Sequence, residues 1–131
     1  MQFLSRFILF IFLFSFLSCN NESIRITPND YHLMVDKLTE VMIHDIFSPP
    51  VASRIYAYPN IAAYQVLNAE NGAYRSLENQ LNELKKIPTI SFDKNANKQL
   101  AALIAYLDVA KEVVFSKEKI TVFRDSLYKN W

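Results

Sequence analysis

The segment at residues 44–64, HDIFSPPVASRIYAYPNIAAY, sets the tightest limit on what this chain can fold into. It carries Pro49, Pro50 and Pro59 together with Tyr56, Tyr58 and Tyr64, and it is flanked by sequence with helical spacing. Between Pro49 and Leu67 the only charged residue is Arg54. A surface helix keeps one polar face, whereas an element that is apolar all round is buried between others. The segment therefore predicts a helix with neighbours on every side.

The first residues point to export. Arg6 forms a short basic start, residues 7–14 are an unbroken apolar run, and Ser18 precedes Cys19. A membrane span needs about 20 apolar residues, and this run is too short. Charge, short apolar core and small residue make the layout of a secretory signal, so residues 1–18 are read as a signal peptide. FLSC, ending at Cys19, resembles the bacterial lipobox, with Phe16 as its departure from the commonest form. The resemblance implies lipid attachment at Cys19, the only cysteine, and hence an exported chain anchored to a membrane of the bacterial cell envelope. The alternative is an ordinary signal peptide with a nearby unpaired thiol. Several acyl chains anchor far more firmly than one, at about 0.8 kcal/mol per buried methylene. Residues 19–29 read as a polar tether.

The chain has 14 basic and 13 acidic residues, and without Arg6 the two signs balance. No basic stripe suggests nucleic acid. One glycine and few β-branched runs argue against a sandwich or barrel, which need many turns. Residues 30–131 suffice for one small domain and read as all-α, a helical bundle. A first helix capped by Asn29 or Asp30 would bury Tyr31, Met34, Val35, Leu38, Val41, Met42 and Ile46, which recur at three and four. SPP at residues 48–50 ends it and starts a second helix reaching about Asn68, with Pro59 expected to kink or split it near Ala57. Residues 74–84 have Leu77, Leu81 and Leu84 in line for a short helix, and 85–93 read as a loop. A long helix is expected over 95–115, with a stripe of Leu100, Leu103, Ile104, Leu107 and Val114. Ser116 would cap a last helix carrying Ile120, Phe123, Leu127 and Trp131. That helix has no terminating signal, so the chain is expected to be the N-terminal portion of a larger helical domain.

No catalytic residue can be assigned. His32 and His44 lack the spacing that places two metal ligands on one helix face. His44 and Asp45 are adjacent, and adjacent helical residues point apart. Asp45 is therefore read as structural and suited to pair with Arg54, whose charge would need a partner in a buried helix. Tyr56, Tyr58 and Tyr64 either line a pocket or sit in the core with bonded hydroxyls. There is no Gly-x-Ser-x-Gly and no glycine-rich phosphate loop.

HDIFSPPVASRIYAYPNIAAYQ, preceded by LTEVMI and followed by YRSLENQLNEL, resembles the N-terminal helical region of bacterial vanadium-dependent haloperoxidase-like proteins. These belong to the type 2 phosphatidic acid phosphatase superfamily. The resemblance spans residues 31–131 and is strongest over 38–64. It implies a helical bundle around an oxyanion site that takes vanadate in haloperoxidases and phosphate in phosphatases. The family's site motifs are Lys with Arg-Pro seven residues on, Pro-Ser-Gly-His, and Ser-Arg followed by His and Asp. Lys and Arg neutralise the oxyanion, and the histidines ligate, attack or move protons. Ser53-Arg54 opens like the last motif, but Asn60 stands where His belongs. Lys117 and Arg124 have the first motif's spacing, but Asp125 replaces its Pro. None of these roles carries over, and this chain is expected to hold no cofactor itself, with vanadate possible for a full-length protein.

Two functions follow. One is the non-catalytic helical scaffold of a membrane-anchored haloperoxidase or acid phosphatase, partnered by a C-terminal helical portion. The other is a small envelope lipoprotein acting as a scaffold or binding module.

Overall fold

Thr27 and Pro28 start the first helix. Pro fits a first turn because its missing amide would have no partner there, and the Asp30 carboxylate gathers the Thr27 amide and hydroxyl, each at 2.7 Å. The helix thus begins ahead of the expected Asn29 or Asp30. In the computed structural model, which describes residues 24–69, 74–89 and 91–129, four helices follow in order. They are α1 (Pro28–His44), α2 (Pro49–Asn68), α3 (Lys98–Glu112) and α4 (Lys117–Tyr128). The fold is all-α, as expected, with no strand among the described residues. The signal segment, Cys19 and Trp131 lie outside those residues.

α2 and α3 form the main helix pair, α4 folds back on α3, and α1 touches the other three. Met34, Leu38, Val41 and Met42 on α1 are buried as their spacing predicts, but Tyr31 and Ile46, at the ends of that stripe, are exposed. On α3 the buried face is Ala102, Leu103, Tyr106, Leu107 and Ala110, while Leu100 and Ile104 are only half-buried. The expected leucine stripe is thus rotated towards an Ala102–Tyr106–Ala110 row. Helix separation depends on the side chains at the contact. Two alanines here, with Ala63 in the same core on α2, leave room for the Tyr106 ring.

α2 departs from the reading of a helix buried on all sides. Ile55, Pro59, Ala63 and Gln65 are buried, yet Val51, Tyr58 and Leu67 are exposed. The helix runs through Pro59 as one element rather than two. An interior proline withdraws one backbone bond, and in that turn Asn60 Nδ2 donates to the Tyr56 carbonyl at 2.8 Å.

Residues 74–84 do not form the expected helix. Asn79 and Glu83 take left-handed backbone angles, φ 59° and 65°, and the Asn79 amide donates to the Leu84 carbonyl at 2.8 Å. A left-handed residue interrupts an α-helix, so the leucines in line are set on turns. This segment is fastened to α2, where the Tyr64 hydroxyl donates to the Arg75 carbonyl at 2.8 Å. α3 starts at Lys98, after its cap Asn97, whose side chain accepts from the Leu100 amide at 3.0 Å and donates to the Ile24 carbonyl at 2.7 Å. Ile26 packs on the core, so the last part of the polar N-terminal stretch is in contact with the bundle.

Candidate functional site

The turn between α1 and α2 gathers the most polar chemistry. Its backbone is a Schellman closure, in which the Phe47 amide donates to the Met42 carbonyl and the Ile46 amide to the Ile43 carbonyl, both at 3.2 Å. Such a closure needs one left-handed residue, usually glycine. Ile46 occupies it with φ 56°. A β-branched residue at positive φ is a genuine outlier, and its side chain is 88% exposed.

The same turn aims Asp45 at the start of α4. Its carboxylate accepts from the Phe115 and Ser116 amides, each at 2.9 Å, from the Ser116 hydroxyl and from His44 Nδ1 at 3.0 Å. Burial works to raise its pKa, but the Ser116 hydroxyl and amide, His44 and the Phe115 amide outweigh that and lower it to about 2. Asp45 is therefore structural, as read from the sequence, but its partner is Ser116 and not Arg54, which is exposed. His44 and Asp45 do meet despite being adjacent, because the helix ends at His44 and the next residue leaves its spiral. Although Ser116 Oγ lies 3.3 Å from His44 Nδ1, the carboxylate binds hydroxyl and imidazole on one side. This is a helix cap rather than a nucleophile backed by a base and an orienting acid.

The other candidates are dispersed. His32 lies against Tyr31, and twelve helical residues put it about 18 Å along the axis from His44. Among the described residues no group of three His, Cys, Asp or Glu side chains is placed to hold a metal ion. Ser53 donates to the Pro50 carbonyl at 2.9 Å. Lys117 pairs with Glu112 at 2.6 Å, and Arg124 pairs with Asp108 at 2.8 Å and with Asp125 at 3.4 Å. Carboxylates occupy both cations that share a motif spacing and would repel an oxyanion there. The residues of this region do not fit a vanadate or phosphate cradle.

The three tyrosines of the opening segment divide. The Tyr56 hydroxyl bonds Thr39 Oγ1 at 2.7 Å, whose own proton goes to the Val35 carbonyl, and Tyr64 holds the following loop. Tyr58 instead lines an open trough of about 590 Å³ between α2, α3 and residues 82–88. Ile61, Val66, Leu84, Ile87 and Val109 make most of its wall, with Gln65, Glu83 and Lys86 also present. No histidine, cysteine or serine lines it, and its wall is mostly apolar.

The solved structures supply the relevant likeness. The chain is similar to the protein in the crystal structure described as the first bacterial vanadium-dependent iodoperoxidase, at 50% sequence identity and a TM-score of 0.77. The helical region is built like part of a vanadium haloperoxidase. The match covers 84% of this chain and 26% of that one, so the chain spans about a quarter of the enzyme's length. No family model matches the chain, and no curated protein shows significant similarity to it.

Proposed function

We propose that this chain supplies the helical, non-catalytic scaffold of a vanadium-dependent haloperoxidase-like enzyme, held at the bacterial envelope by a lipid on Cys19. The observation that carries the reading is the 50% identity with the iodoperoxidase, together with the TM-score of 0.77. The described residues contribute packed helices and two apolar surfaces, and Lys117 and Arg124 are tied to carboxylates. On this reading the oxyanion site, and the choice between peroxidase and phosphatase chemistry, belong to the portion of such an enzyme beyond the matched quarter.

The deciding experiment is to read the source DNA through and past the codon for Trp131. A continuing frame that encodes Pro-Ser-Gly-His and a later Ser-Arg with His and Asp supports the scaffold reading. A stop with no such motifs downstream in any frame overturns it and leaves the small envelope lipoprotein. The anchor is tested separately by metabolic labelling with an alkyne fatty acid. Wild type should incorporate label and Cys19→Ala should not, whereas equal labelling would refute attachment at Cys19.

A further inference from the structure

Ile46 is strained and exposed at once. Any glycine would close the Schellman turn without a Cβ penalty, yet the chain places a β-branched side chain there and leaves it 88% exposed. Ile43 and Phe115 beside it are 73% and 78% exposed. Phe115 stacks on Phe47 with ring centroids 4.7 Å apart, and Phe47 shares a shallow hollow with Ile43 and Ile46. The Asp45 carboxylate, bonded to the Phe115 amide, fixes the two turns against each other. The result is one continuous apolar knob on a rigid base. Backbone strain of this kind persists where the surroundings enforce it, and it clusters at functional surfaces.

We propose that Ile43, Ile46 and Phe115 form the knob that docks this helical region onto the catalytic body of a haloperoxidase-like enzyme, an inference that rests on the scaffold reading above. The matched region is 26% of the iodoperoxidase chain, so roughly three quarters of such an enzyme is left to pack against it. Exposed apolar patches of this sort mark protein or membrane contacts, and the position of the knob favours protein. Ile24 is held by Asn97 at the start of α3. The knob lies at the far end of α1, which at 17 residues is about 25 Å long. An anchor on Cys19 would therefore hold the other end of the bundle towards the bilayer. The occupant is expected to offer an uncharged apolar recess, since the knob's own contacts are aliphatic and aromatic.

The test uses the full 131-residue chain in mild detergent and, as probe, the separately produced remaining portion of the bacterial iodoperoxidase. Ile46→Gly relieves the strained backbone while removing the side chain. It should raise the melting temperature of the chain and weaken capture of the probe about tenfold or more, as loss of a central contact does. Phe115→Ser should weaken capture similarly, while Val122→Ser, on the exposed face of α4, should leave it unchanged. Capture of wild type and Ile46→Gly with equal affinity overturns the knob and leaves the scaffold reading standing. No capture of wild type overturns both. Two further results assign the knob elsewhere and so refute the proposal. One is concentration-dependent self-association of wild type that Ile46→Gly abolishes, which indicates a second copy. The other is Ile46-dependent cosedimentation of Cys19→Ala with phosphatidylglycerol vesicles, which indicates the bilayer.

Discussion

Asp45 closes one helix and opens another, so its loss should be felt at both. Four donors converge on a carboxylate enclosed between two turns. Removal of a helix cap costs about 1 kcal/mol, and leaving the part-buried Ser116 amide and hydroxyl unpaired adds about 1–2 kcal/mol. Asp45→Ala should therefore destabilise the chain by about 2–3 kcal/mol in urea unfolding. The pH dependence has a definite sign. The folded pKa of about 2 lies below the ordinary 3.8, so the stabilisation is complete above the ordinary value and is lost as pH falls towards about 2. The stability gap between wild type and Asp45→Asn should shrink over that window, and a gap that stays constant through it would refute the assignment. Tyr106 presents the opposite case. Its ring is fully buried and its hydroxyl has no hydrogen-bond partner among the described residues. Burial, and then the neighbouring Tyr31 and Tyr56, push its pKa upward. An unsatisfied buried hydroxyl is a cost, so Tyr106→Phe should leave stability unchanged or raise it by about 1 kcal/mol in the same assay. A loss of more than that would show that the hydroxyl is bonded in solution.

At the scale of elements, the contact between α2 and α3 dominates the packing. Its close approach depends on small side chains, and Ala102 and Ala110 are almost wholly buried. Overpacking a filled core costs about 1–3 kcal/mol. Ala110→Leu should lose that much by thermal or urea unfolding, and a neutral result would mean that the two helices are free to move apart. Truncation tests the other partner, since Leu38→Ala on α1 should cost about 2–5 kcal/mol by leaving a cavity. Of these helices, α1 and α4 were legible in the sequence to within a few residues, because their apolar spacing faces one core. The leucines of residues 74–84 have helical spacing too, but none is fully buried and the backbone turns left-handed at Asn79 and Glu83. Pro59 was misleading in the other direction. Packing of α2 on α3 holds a helix together through a residue that would interrupt it in isolation, with the proline itself buried.

For the whole molecule, the charge ledger and the apolar surfaces tell different stories. The basic residues that share a spacing with an oxyanion motif are paired to acids on the same or neighbouring helices. The apolar side chains around Tyr58 and around Ile46 are left open. The chain alone should therefore show no halide oxidation in a peroxide assay supplied with vanadate. Turnover by it would place catalytic groups among residues read here as structural.

The sequence by itself determined the all-α class, the helix start at Pro49, the last helix following Ser116, and most of the buried face of α1. These depend on local properties: spacing at three and four, and proline in a first turn. Its likeness to haloperoxidase-like proteins was also legible, from the unusual HDIFSPP run and the helix after it. Only the tertiary structure decided that Asp45 meets Ser116, 71 residues away. It also decided that α3 turns its Ala102–Tyr106–Ala110 row inward, and that Ile46 stands strained and exposed. Those outcomes follow from which surfaces meet across the bundle, and helical spacing along one chain segment carries no record of what lies opposite it.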